Sequence, residues 1–249
     1  MSELVRSALT DGVAVLTLAR PHKHNALSDA MVDEWRAAFA WAVAEPDARA
    51  IVVRGEGPSF CSGRDTAELG HRRNGESDVE FIRAHQADAL TRLTCPKPVI
   101  AAVQGAAIGG GLEIALSADV RVAADNARFS LPEVHFGLIP DTGGTTLLTA
   151  LVGPARAKLM IAGGRTVNAA TALAWGMVDE VVPVADLEET AMGMARGFAA
   201  LPPLAVQLAK AAVDQVWAAT HRAGLHTELL SQNTLFANRR SVAPATDGP

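Results

Sequence analysis

The sequence predicts one α/β domain that ends in a helical region. Three observations carry that expectation. The chain has 249 residues, 49% of them hydrophobic, which is enough to bury one sizeable core. Short apolar runs alternate with stretches of helical periodicity as far as about residue 187, and then the strands stop. One of the runs, Ala50-Ile51-Val52-Val53, is unbroken by any polar residue, as in a strand covered on both faces.

Taken in order, Val13 to Leu18 reads as a strand that Arg20-Pro21 ends. Ser28 has the chemistry of a helix N-cap, with Asp29 in the first turn and Met31, Val32, Trp35, Phe39 and Val43 at helical spacing behind it. After the strand at Ala50, Gly55-Glu56-Gly57-Pro58 forms a turn, and a helix is expected over Asp78 to Leu93. Pro96 and Pro98 lead into a strand at Val99 to Val103, and further strands are expected at Ala118 to Ala123 and Gly176 to Val182. Alanine-rich helices follow, broken at Pro202-Pro203. Their stripe of Leu204, Leu208, Ala211, Ala212 and Val216 suits either the core or a subunit contact. From Arg239 onward the chain reads as disordered. With no repeat and no linker, residues 1–190 form the core and residues 191–249 a helical region of the same unit.

Composition narrows the function. A net charge of −5, no tyrosine and only 4% aromatic residues give no footprint for nucleic acid. The basic cluster His71-Arg72-Arg73 reads as a solvated loop. The start, Met1 to Arg6, lacks the pattern of a secretory signal, and the longest apolar stretch, Val99 to Leu116, is interrupted by Gln104, glycines and Glu113. No membrane partner is expected. Two cysteines, Cys61 and Cys95, build neither a disulfide framework nor a metal cluster, which fits a cytoplasmic protein. The seven histidines show no ligand spacing and G-x-S-x-G is absent, so neither a metal nor a serine nucleophile is expected.

The chemistry concentrates in Gln104 to Leu116. Gly109-Gly110-Gly111 lets the backbone approach a ligand that any Cβ would block, and stands directly before an apolar helical run. Free N–H groups at such a helix start suit a developing negative charge. The pattern is neither G-x-G-x-x-G nor a phosphate loop. Glu113 lies inside that helix between apolar neighbours, and Glu133 lies in a second mostly apolar stretch, Phe129 to Pro140. Two carboxyls meeting in an apolar cleft can hold different protonation states, one as base and one as acid. Spacing alone leaves open whether they meet.

Five segments in register resemble the crotonase (enoyl-CoA hydratase/isomerase) superfamily: Arg20-Pro21 with Asn25-Ala26-Leu27, Phe60 to Asp65, Gln104 to Glu113, Phe129 to Thr146, and Gly153 to Ala157 with Ala174 to Asp179. The resemblance implies a spiral of β-β-α repeats with a C-terminal helical trimerisation region, assembled as a homotrimer or homohexamer. It implies an acyl-CoA thioester substrate and no separate cofactor, coenzyme A being part of the substrate. The thioester oxygen would take backbone N–H bonds from Ser62 and Gly110, and Lys23, Ser62, Gly63, Arg64, Asp65, Gly109 and Gly110 would contact substrate. Glu113 and Glu133 would activate water for addition across the α,β double bond. The alternative is an enoyl-CoA or dienoyl-CoA isomerase using Glu133 and Asp141; a non-catalytic acyl-CoA-binding member is less favoured, because both glutamates are present. Ser62 replaces the family's usual alanine, an exchange a backbone donor tolerates.

Two further departures matter. Asp141 stands where hydratases carry glycine and dienoyl-CoA isomerases a carboxylate; it is either a proton-transfer group or a turn residue. Arg64 either pairs with a coenzyme A phosphate or faces water. No motif fixes the acyl group, whose pocket is expected to be lined partly by Thr66 to His85.

Overall fold

The computed structural model describes residues 3–242. Among the described residues, nine strands form two sheets: β1 (Val5–Thr10), β2 (Val13–Leu18), β3 (Ala50–Gly55), β4 (Val99–Val103), β5 (Ala106–Ile108), β6 (Val120–Ala124), β7 (Arg128–Ser130), β8 (Val167–Asn168) and β9 (Glu180–Val182). The larger sheet has the order β1-β2-β3-β4-β6-β9, antiparallel only at β1-β2, and the smaller has the order β5-β7-β8. Eight α-helices accompany them: α1 (Asp29–Ala44), α2 (Asp78–Leu93), α3 (Gly110–Leu116), α4 (Gly144–Val152), α5 (Pro154–Ile161), α6 (Ala169–Trp175), α7 (Leu187–Ala199) and α8 (Pro203–Val242).

The unbroken apolar strands have a direct cause. Alternate residues of β2, β3 and β4 point to opposite faces, and both faces are covered. Leu16, Leu18, Ile51, Val53 and Val103 pack with Trp35 and Phe39 of α1. Val13, Val15, Ala50, Val52, Ile100 and Ala102 pack with Leu187, Ala191, Met192 and Ala195 of α7. Burying one such aliphatic side chain contributes about 1.5–3 kcal/mol. A boundary at residue 190 therefore runs through α7, which packs on the sheet.

Local signals set the helix starts. Ser28 accepts a bond from the Met31 N–H at the head of α1, and Ser77 and Glu80 form a reciprocal capping box at the head of α2. The helix α8 runs unbroken from Pro203 to Val242, so the disorder expected from Arg239 is absent as far as Val242. The remainder of that expectation, residues 243–249, lies outside the described residues. Leu204, Leu208 and Val216 of α8 are exposed, so the stripe does not pack on the chain's own core.

Candidate active site

The loop before α3 and the segment Phe60–Gly63 lie backbone to backbone. The Phe60 N–H donates to the Gln104 carbonyl at 2.7 Å, Cys61 to Ala106 at 2.9 Å and Ile108 to Cys61 at 3.0 Å. Glycine is required where the two meet: a Cβ on Gly111 would stand 2.3 Å from the Cys61 oxygen, and one on Gly63, where φ is +85°, 2.6 Å from the Ile108 oxygen. Gly110 opens α3, so its N–H has no acceptor within the helix. Ser62 departs from expectation. Its N–H donates to the His24 carbonyl at 3.0 Å, because His24 takes a left-handed conformation (φ 50°) that turns this carbonyl toward it. Ser62 would have to exchange that acceptor to bind a ligand oxygen, whereas Gly110 would not.

The structure brings Glu113 and Glu133 together: both line one cavity of about 140 Å³ that Gly110 also lines. Glu113, on α3, is 3% exposed, and its Oε1 accepts the N–H groups of Thr142 and Gly144, each at 2.9 Å. Glu133 opens a 3-10 turn (Glu133–Phe136), and a Cβ on Gly109 would lie 3.0 Å from its Oε1. Its Oε2 is buried without a hydrogen-bond partner. Burial and the neighbouring Glu113 push the Glu133 carboxyl up to about 8.

Two further carboxyls join them. Asp141 lines the same cavity, with its Oδ2 accepting from Gln232 at 3.3 Å and its backbone carbonyl accepting from Gln86 at 3.0 Å. Burial and Glu113 raise it to about 7, against the opposing pull of Gln232, Arg72 and Arg64. Glu228, on α8, is 1% exposed and accepts from Gly143 N–H at 2.8 Å, from Thr145 N–H at 2.9 Å and from the Thr145 hydroxyl. Burial and Glu113 push it up to about 8, against those bonds. Glu113 and Glu228 thus divide the N–H groups at the start of α4 between them, and so tie α3, α4 and α8 together.

The remaining expected residues fall into two groups. Lys23 is exposed at the end of a 3-10 turn (Pro21–Lys23), and Asp65 is a frame residue: it pairs with Arg20 at 2.7 Å and caps Ala67 N–H at 3.1 Å, and Arg20 holds its carboxyl low. Arg64 is partly buried. It pairs with Asp29 through Nη2 and lines the cavity. The expected solvated loop is also corrected at Arg72, whose guanidinium sits 4.0 Å from the Phe81 ring centroid and 4.5 Å from that of Phe236, and pairs with Asp78 at 2.9 Å. Leu69, Phe81 and His85 line the cavity, as expected for the segment Thr66 to His85. Sequence reasoning missed Glu228, Gln232 and Phe236, which recur every four residues and so share one face of α8 with Leu225 and Leu229. Their spacing from Leu225 and Leu229 hints at a shared face, but nothing local marks Glu228 as buried.

Known proteins resemble this chain in sequence and in fold. The family model described as enoyl-CoA hydratase/isomerase matches residues 8–243. A protein of Mycobacterium leprae named probable enoyl-CoA hydratase is 35% identical over 242 residues, covering 95% of this chain and 93% of its own length. One of Rhodobacter capsulatus with the same name is 38% identical over 235 residues, covering 94% of this chain and 86% of its own. The crystal structure of a probable enoyl-CoA hydratase from Mycobacterium thermoresistibile superposes with a TM-score of 0.86 at 31% identity, covering 97% of this chain and 100% of that one. A family model matched over residues 8–243, and relatives alike in sequence and fold over nearly the whole length, make this chain an enzyme of the enoyl-CoA hydratase/isomerase family, within the crotonase superfamily.

Proposed function

We propose that the enzyme adds water to the α,β double bond of a 2-enoyl-CoA thioester. The observation that carries this reading is the pairing of Glu113 and Glu133 on one cavity beside Gly110, with Glu133 pushed up to about 8. The thioester oxygen takes the Gly110 N–H, at the positive end of α3, where charge develops as the enolate forms. A water held between the two carboxyls loses a proton to Glu113 as its oxygen bonds to the β-carbon. Glu133, protonated at neutral pH, delivers its proton to the α-carbon. The proton gained by Glu113 then returns to Glu133 through solvent, which restores both groups. Ser62 joins the hole when its N–H leaves the His24 carbonyl for the substrate oxygen.

The test follows loss of the conjugated thioester absorption with 2-enoyl-CoAs. Glu113→Gln and Glu133→Gln should each lower kcat about 10²–10⁴-fold with coenzyme A binding retained. Inactivity of the wild type across the chain-length series would overturn the reading.

One observation favours a second reading, isomerisation of a dienoyl-CoA. Asp141 shares the cavity and is raised to about 7, so it can exchange a proton near neutral pH. Conversion of a 3,5-dienoyl-CoA by the wild type, lost in Asp141→Asn while hydration persists, would establish it. Assembly as a trimer or hexamer is supported by the exposed apolar row of α8. A reducing cytoplasmic setting suits the two buried free thiols, Cys61 and Cys95.

A further inference from the structure

Four successive N–H groups at the start of α4 go alternately to two carboxyls from distant parts of the chain. Thr142 and Gly144 donate to Glu113 Oε1, each at 2.9 Å. Gly143 donates to Glu228 Oε2 at 2.8 Å and Thr145 to Glu228 Oε1 at 2.9 Å, joined there by the Thr145 hydroxyl. The alternation has a backbone cause. Gly143 has φ +105°, a left-handed conformation that breaks the helical alignment of successive N–H groups, and a Cβ on Gly144 would stand 2.9 Å from Glu113 Oε1.

The two carboxyls are left with different capacities. Glu113 lines the cavity, whereas Glu228 is not among the described residues that line it. Both oxygens of Glu228 are bonded, while Oε2 of Glu113 has no bond among the described residues. An ionised carboxylate has about four acceptor sites. The N–H groups of Thr142 and Gly144 fill the two on Glu113 Oε1. Were Gly143 and Thr145 to turn to Glu113 as well, no site would remain for a water. A buried N–H that loses its acceptor is costly, so the neighbouring carboxylate draws it in.

We propose that Glu228 is a positioning residue of the hydration step: it takes the Gly143 and Thr145 N–H groups and so keeps Glu113 Oε2 free to accept a proton from water. This rests on the hydration reading above and adds to it a residue outside the cavity, acting through Glu113. A purely structural clamp would hold α4 in place without bearing on which oxygen of Glu113 is free.

The test changes one acceptor and keeps the shape. A carboxyl, ionised or protonated, accepts at both oxygens, whereas the NH2 of an amide only donates. Glu228→Gln therefore strips one N–H of its acceptor and hands it to Glu113. With 2-enoyl-CoAs, kcat should fall about ten-fold, a part of the 10²–10⁴-fold that positioned proton transfer contributes, while KM stays within about two-fold. Glu228→Met, which removes both acceptors, should lower kcat further. In a Glu113→Gln background neither change should cost more than about two-fold, because the group they act through is already gone. Crystal structures of the wild type and of Glu228→Gln give a readout that needs no turnover: Glu113 should take the Gly143 or Thr145 N–H in the variant alone. Equal losses of kcat with and without Glu113 would overturn the proposal. So would an unchanged kcat in a folded Glu228→Gln, a change confined to KM, or the same Glu113 partners in both crystal structures. Circular dichroism checks each fold. Where no variant folds, the wild-type crystal structure decides: four alternating bonds support the proposal, and a Glu113 already bonded to Gly143 or Thr145 overturns it. A wild type inactive on every 2-enoyl-CoA would sink the hydration reading, while the pair of crystal structures still decides whether Glu228 sets the bonding of Glu113.

Discussion

The two halves of α8 invert each other. In the first, Leu204, Leu208, Val213 and Val216 are exposed, Val216 by 73%; in the second, Glu228 and Gln232 are buried to 1% and 3%. The apolar half faces outward and the polar half inward. Both of these buried polar residues have backbone partners: Glu228 takes Gly143 and Thr145, and Gln232 takes the Ile139 N–H at 3.0 Å. In the first half Lys210 pairs with Asp119, while the apolar row of Leu204, Leu208 and Val216 stays exposed. The difference teaches that the helix serves two masters, a surface for other copies and a wall of the candidate active site.

Breaking the inner half should have the largest effect. Glu228→Ala leaves the Gly143 and Thr145 N–H groups buried without acceptors, at about 1–3 kcal/mol each. The melting temperature should fall by many degrees, and hydration should fall with it as the start of α4 shifts from Glu113. A variant as stable and active as the wild type would remove the clamp. Next comes the pH profile. Glu133, Asp141 and Glu228 are all raised, to about 8, 7 and 8, so the native state keeps protons that the unfolded chain releases above its ordinary carboxyl range. Their contribution to stability is present at acid pH and is lost as pH rises toward 8. Denaturant midpoints between pH 5 and 8 should decline, less steeply in Glu228→Gln; a rising midpoint contradicts the assigned shifts. The smallest effect on the fold belongs to the outer half. Leu208→Glu should leave monomer stability within about 0.5 kcal/mol while light scattering shows a smaller particle than the wild type. An unchanged mass would separate this face from assembly.

The same contrast explains what was legible. The span of α2, Asp78–Leu93, and the strands β2 and β4 are written in local periodicity and bounded by Ser77 and by prolines. Glu113 and Glu133 announced themselves as acids in apolar runs. The first strand did not, because Val5 is its single buried residue and no alternation develops. The smaller sheet is built of strands two or three residues long, too short to show a period. Glu228 sits among His226, Thr227 and Gln232, where an acid reads as solvent-facing; only the fold places the start of α4 against it. Arg72 was misread for the same reason, since Phe236 lies far along the chain. At Ser62 the motif foretold an open donor, and the left-handed turn at His24 occupies it.

The clamp on α4 also has a consequence in time. A chain is made from its N-terminus, and domains fold as they are completed. Glu113 exists long before its companion Glu228, and the wall formed by Gln232 and Phe236 comes later still. Until those residues have been added, the start of α4 has half its acceptors and the cavity stands open on one side. A nascent or C-terminally nicked chain can therefore hold every residue of the proposed reaction and still lack the enclosure that the reaction needs. Closure of the cavity thus waits on the turns of α8 that carry Glu228, Gln232 and Phe236.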